Sequence, residues 1–165
     1  MTHVLRYQEA DWDAVWPILR RTFAAGDTYA FAPESPEAEI HRAWVEAPAG
    51  TYVACGDEGE ILGTYFIKPN QPGLGSHVCN CGYVVAPAAQ GRGVASAMCE
   101  HSQAEAIAMG FRAMQFNLVV TTNERAVRLW QRLGFAVTGR LPGAFRHQRL
   151  GFVDALVMFK TLVAD

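Results

Sequence analysis

The sequence has no surplus of positive charge. Its 14 Lys and Arg stand against 16 Asp and Glu, a formal net charge of -2, so nothing would draw it nonspecifically onto nucleic acid or an anionic membrane. Long hydrophobic runs are missing as well. Charges, Gly and Pro interrupt every apolar stretch short of the ~18 residues that span a bilayer, and Met1 to Asp11 lacks the basic start and apolar core of a secretory signal. A cytoplasmic protein that meets neither nucleic acid nor membrane is the expectation. Cysteine is scarce too: Cys55, Cys79, Cys81 and Cys99 are too few for a disulfide scaffold and read as reduced, buried apolar residues.

What the chain does have is the means to fold. Half of its residues are hydrophobic and 18% are charged, the balance of a domain with a real core. Its 165 residues suit one α/β domain over residues 1–165 and are too few for two ordinary ones. One site, for a small or peptidic partner, is therefore expected.

Periodicity supplies the elements. His3 to Tyr7 reads as a short strand, and Asp11 as the N-cap of a helix with Trp12, Val15, Leu19 and Phe23 on its apolar face. Gly26 to Pro36, with Tyr29 and Phe31, reads as an aromatic loop of the kind that lines ligand sites, and Ser35 or Pro36 opens a second helix through Val45. Thr51 to Cys55 and Ile61 to Ile67 are strands joined at Gly56-Asp57-Glu58-Gly59, a hairpin signal. Lys68 to Ser76 is expected as a loop, then a strand from His77 to Val85, and the longest helix from Arg92 to Met109, stopped by Gly110. Met114 to Val120 is a buried strand. Asn123 to Leu133 is a helix with Ala126, Leu129, Trp130 and Leu133 on one face, ended at Gly134. Strands Phe135 to Thr138 and Phe152 to Lys160 close the chain, across a loop around Pro142 and Gly143 that carries Arg140, Arg146, His147 and Arg149. This order predicts a mixed sheet, with the strands on either side of the long helix parallel.

The informative turn is Gln90-Gly91-Arg92-Gly93-Val94-Ala95, between a strand ended by Pro87 and the long helix. Its backbone N–H groups are the unpaired donors of a helix N-terminus. Gly91 and Gly93 let a phosphate approach, small Ala95 and Ser96 leave room, and the helix dipole attracts an anion, so a pyrophosphate fits. A P-loop needs a lysine after the glycines, and none follows. A dinucleotide fold needs an acidic residue where the next strand ends, and that strand ends Val119-Val120-Thr121-Thr122. A plain glycine-rich strand-to-helix turn is the remaining rival.

The residues Val84-Val85-Ala86-Pro87 and Gln90 through Ala95 resemble the hallmark of the GCN5-related N-acetyltransferases (GNAT), a hydrophobic strand, Pro, then Gln or Arg-x-x-Gly-x-Gly or Ala. Asn123-x-x-Ala126-x-x-Leu129-Trp130-x-x-Leu133-Gly134-Phe135 resembles that family's second signature. The resemblance implies a single-domain α/β (α+β) fold, a mixed, mostly antiparallel sheet with a central splayed parallel pair flanked by helices. It also implies acetyl-CoA as donor, with no metal, and transfer of acetyl to a small-molecule amine. Ile67-Lys68-Pro69-Asn70, Ser76-His77-Val78-Cys79-Asn80 and Phe116-Asn117-Leu118-Val119 are similar to the branch of the family that acts in yeast on azetidine-2-carboxylate and other cyclic imino acids, a branch with bacterial relatives whose substrates differ. Relatives of this kind often form homodimers, although nothing in the sequence marks an interface.

By that resemblance the coenzyme would meet Tyr83, Val84, Val85, Gln90, Gly91, Arg92, Gly93, Val94, Ala95, Ser96, Asn123 and Trp130. The backbone of Val85 and its neighbours would donate to the oxyanion that forms when an amine attacks the thioester. Asn80 and Asn117 would position the substrate, Asn80 at its nitrogen and Asn117 at its carboxylate. Asn80 reads equally as a structural amide, and Asn123 as a helix cap. Trp130 stands where many members have the tyrosine that protonates the departing thiolate, and indole has no such proton to give. The general acid and base stay unassigned. Three alternatives also stay open: acetylation of a protein N-terminus, acetylation of an antibiotic, and coenzyme binding without turnover. His77, Cys79 and Cys81 share a strand face but lack a fourth metal ligand. Arg140, Arg146 and Arg149 suit a solvated hairpin better than a ligand site.

Overall fold

A computed structural model describes residues 1–164. The strands are β1 (His3–Arg6), β2 (Gly50–Cys55), β3 (Ile61–Pro69), β4 (Val78–Val85), β5 (Ala113–Val120), β6 (Ala136–His147) and β7 (Gly151–Thr161). The helices are α1 (Trp12–Ala25), α2 (Glu37–His41), α3 (Val94–Ala108) and α4 (Glu124–Arg132). The strands form one seven-stranded sheet in the order β1-β2-β3-β4-β5-β7-β6. Only β4 and β5 run parallel; every other pair is antiparallel. The mixed sheet expected from the sequence is what forms.

Each face of the sheet has its own core. Trp12, Val15, Leu19 and Phe23 of α1 pack with Ile40, Trp44, Val53, Phe66 and Val84 on one side. Val94, Met98, Cys99 and Ala106 of α3 and Trp130 of α4 pack with Cys79, Cys81, Met114 and Phe116 on the other. Burying each of the larger side chains contributes about 2 kcal/mol, so both faces hold the sheet. Cys55 is only half-buried, whereas Cys79, Cys81 and Cys99 are buried, as expected of apolar residues.

Several boundaries differ from the sequence reading, each for a local reason. Asp11 stands at the N-cap of α1 without capping it. Its carboxylate turns back to accept from Gln8 N–H at 2.8 Å, closing the preceding turn. Lys68 and Pro69 belong to β3, not to the following loop. The partner β2 ends at the Gly50–Ile67 pair, so the strand has a free edge at Pro69, where a missing N–H costs no ladder bond. Helix α3 starts at Val94 instead of Arg92, because Gly91 and Gly93 have left-handed φ of 80° and 78°. The largest difference is β6, which runs through the segment expected to be a loop. Pro142 and Gly143 sit in a register shift between Leu141 and Phe145, and an edge strand tolerates such a bulge. Asp154 on β7 holds it, accepting from Gly143 N at 2.9 Å and Arg140 Nε at 2.6 Å.

No helix among the described residues is long and apolar enough to cross a membrane.

Candidate active site

The site begins where the parallel pair separates. Strands β4 and β5 are in register only at Val78–Ala113 and Cys79–Met114, and beyond these pairs they diverge. On the other edge of β4, pairing with β3 is continuous from Pro69–Cys79 to Gly63–Val85. Asn70 N donates to Val78 O and Ala86 N to Leu62 O, each at 2.8 Å. In an antiparallel ladder the bonded residues alternate, so the even-numbered residues from Val78 to Ala86 bond to β3. Tyr83 and Val85 consequently turn their N–H and C=O groups into the gap, which is where an incoming chain of amides could pair.

Asn80 pins the point of separation. Its Nδ2 donates to the backbone oxygen of Gln115 on β5 at 2.9 Å, the carbonyl that a further β4 backbone rung would otherwise have reached. A carbonyl only accepts, so the amide must present its nitrogen there. Asn80 is thus the structural amide that one sequence reading described. Its Oδ1 accepts no hydrogen bond among the described residues, and the side chain still lines the cavity. Asn117 is exposed: its Nδ2 donates to Asn70 Oδ1 at 2.7 Å, and its Oδ1 accepts from Gln115 Nε2 at 2.9 Å.

A cavity of about 1100 Å³ fills the gap. It runs from Gly91 and Gly93 at the start of α3, past Asn123 on α4, to α1 and the loop around Tyr29. All the predicted site residues line it except Arg92, whose side chain is exposed outside it. With both flanking glycines left-handed, residue 92 rides on the outside of the turn. A Cβ at Gly93 would meet nothing within 4 Å, and one at Gly91 would meet only Arg125 Nη2 at 3.3 Å. The turn is therefore open, with a guanidinium beside it, as an anion site requires. Asn123 caps α4, its Oδ1 accepting from Ala126 N at 3.4 Å, and still borders the cavity.

Sequence reasoning gave no site role to the cavity residues Arg21, Phe66, Lys68 and Arg125. The aromatic loop was flagged, and its rings are rooted: Tyr29 and Phe31 pack on Phe23 at centroid distances of 5.3 and 4.8 Å. The Tyr29 hydroxyl donates to Tyr83 O at 2.9 Å. Burial raises the Tyr29 pKa above the ordinary phenol range, so the group stays protonated. Gly82 is glycine for a packing reason, since a Cβ there would stand 2.6 Å from the Phe66 ring and 3.1 Å from the Tyr29 hydroxyl.

The other cavity tyrosine points away. The Tyr83 hydroxyl shares a 2.7 Å hydrogen bond with Ser102 Oγ on α3, and burial lifts its pKa well above the ordinary value. Trp130 packs against Tyr83 and Phe116, each at 5.1 Å between centroids. Neither Arg140, Arg146 nor Arg149 lines the cavity. No group of three or more potential metal ligands forms among the described residues.

This geometry has counterparts. The acetyltransferase (GNAT) family matches residues 12–135. N-acetyltransferase aca1 of Schizosaccharomyces pombe is 39% identical over 100 residues, 59% of this chain and 47% of that protein. The chain thus matches about half the length of that relative. A GCN5-related N-acetyltransferase structure from Kribbella flavida is 42% identical, covers 97% of both chains and superposes with a TM-score of 0.92. The yncA structure of Salmonella typhimurium, solved with its cofactor acetyl-CoA, is 20% identical, with 100% of this chain and 96% of that one covered and a TM-score of 0.86, which is a likeness of fold.

Proposed function

This chain belongs to the acetyltransferase (GNAT) family, and from that premise we propose that it is a single-domain enzyme that transfers acetyl from acetyl-CoA to a small amino or imino acid. The observation that carries the reading is the open edge of β4, where the Tyr83 and Val85 backbone groups have no strand partner and lead to the two left-handed glycines. A thioester with a pantetheine arm and a pyrophosphate has the matching order of groups: amides for the strand edge, phosphates for the turn.

Acetyl-CoA supplies an activated acyl carbon and a thiolate that leaves without strong assistance. The protein supplies position and charge stabilisation. Gly91, Gly93 and Arg125 hold the pyrophosphate. Backbone N–H groups of Tyr83 and Val85 face the thioester oxygen, where negative charge develops as the neutral amine attacks. Asn80 Oδ1 accepts from that amine and orients its lone pair. Rings anchored in the core, Tyr29 and Phe31, wall the acceptor end and favour a compact substrate. Trp130 packs beside the reacting region without moving a proton, so thiolate departure rests on the thiol's own acidity.

Calorimetric titration with acetyl-CoA, followed by thiol release with free amino acids, imino acids, peptides and antibiotics, tests this reading. Binding with turnover of small amino or imino acids supports it, and turnover confined to peptides or antibiotics replaces its acceptor. Trp130, in place of a proton-donating tyrosine, favours one second reading, a coenzyme-binding sensor. Tight binding without thiol release from any amine would establish that instead.

A further inference from the structure

We propose that Lys68 is the specificity-determining residue of the acceptor site, its ammonium pairing with a carboxylate on the substrate; this rests on the acetyltransferase reading above. Lys68 lies directly opposite Asn80 in the β3–β4 register, and both side chains line the cavity. Directly opposed residues of an antiparallel pair stand about 5 Å apart at Cβ. Phe66, two residues earlier on the same face, lies beneath the lysine, whose Nζ is 5.2 Å from the ring centroid. That aromatic contact is the ammonium's one interaction among the described residues, and no carboxylate there neutralises it.

The neighbouring amides carry no charge to pair with a carboxylate. Asn117 gives one N–H to Asn70 Oδ1 and accepts one from Gln115 Nε2, and it stands on β5 while Lys68 stands opposite Asn80. Asn80 gives one amide N–H to Gln115 O, and its acceptor oxygen is unused at the cavity. That oxygen suits an amine and would repel a carboxylate. An amino or imino acid carries its nitrogen and its carboxyl group on one carbon, so it needs an acceptor and a cation side by side. Asn80 and Lys68 offer that pair. Arg21 and Asp27 also line the cavity and are opposite in charge, and Lys68 is the cation in register with Asn80.

The test compares acids with their uncharged carboxamides, L-proline with L-prolinamide and L-alanine with L-alaninamide, by thiol release at saturating acetyl-CoA. Wild type should prefer the acids. Lys68→Gln should raise KM for the acids roughly tenfold or more, the loss expected for a charge-assisted contact, while kcat changes little and KM for the carboxamides is unmoved. Lys68→Arg should restore most of the affinity. Equal effects on acid and carboxamide, or a wild-type preference for carboxamides, overturn the assignment while leaving the acetyltransferase reading intact. Absence of turnover with every amine removes both. Since each comparison is made within one variant, partial loss of folded protein cannot imitate the expected result.

Discussion

The Tyr29 hydroxyl and the Tyr83 carbonyl, 54 residues apart in sequence, meet in a 2.9 Å hydrogen bond at the open edge of β4. It ties the aromatic loop to the strand whose free backbone groups face the cavity. Removing the hydroxyl in Tyr29→Phe deletes this part-buried bond, a loss of about 1 kcal/mol. Denaturant unfolding should show it. Because burial holds the phenol protonated, kcat should fall by less than about tenfold, well short of the roughly hundredfold or more that loss of a general acid or base causes. A drop of a thousandfold with normal stability would instead give Tyr29 a part in the chemistry.

Gly93 tests the phosphate end. Its φ of 78° lies where a β-branched residue is strained by about 1–3 kcal/mol, and the space beside it is open. Gly93→Val should weaken acetyl-CoA by tenfold or more in a calorimetric titration, while the acceptor's KM at saturating coenzyme stays near wild type. Unchanged coenzyme affinity in the folded variant would remove the turn from the binding site.

Asn80→Ala should act at the other end. It frees the Gln115 carbonyl where the strands separate and removes the acceptor for the amine. Stability should fall by about 1–3 kcal/mol, and kcat/KM for the amine should fall at least tenfold, with acetyl-CoA affinity within about threefold of wild type. Loss of coenzyme and amine binding in equal measure contradicts that division of labour.

Acid should loosen the β6 bulge. The hydrogen bond from Gly143 N–H, and next the bond from Arg140, hold the Asp154 carboxyl below its ordinary value of 3.8. A carboxylate with a depressed folded pKa stabilises above its unfolded pKa and loses that contribution as pH falls through the folded value. Wild type and Asp154→Asn should therefore differ most in unfolding midpoint at neutral pH and converge below the ordinary carboxylate range. A gap that persists at low pH would assign Asp154 another role.

Much of this was legible in the chain. The strand and helix order, the parallel pair and the glycine turn follow from local rules, because hydrophobic period and left-handed glycines act over a few residues. The true start of α3 needed only the recognition that both Gly91 and Gly93 would be left-handed, which pushes the helix to Val94. Long-range facts were hidden. That Pro142 would sit in an edge strand depended on β6 having one neighbour and on Asp154 reaching across to Gly143. That Asn80 would spend its nitrogen on Gln115, and that Lys68 would lie opposite it, depended on sheet register. Tyr29 was visible as part of an aromatic loop, yet only folding showed its hydroxyl on Tyr83.

The two registered pairs that join β4 to β5 have a dynamic corollary. Amides of Tyr83 and Val85 have no strand partner, whereas those of Val84 and Gly82 are locked to β3. Their hydrogens should therefore exchange with deuterated solvent at sharply different rates along a single strand, fast and slow in turn. A ligand that completes the edge would slow only the fast members, so occupancy of the cavity can be read, residue by residue, as the erasure of that alternation.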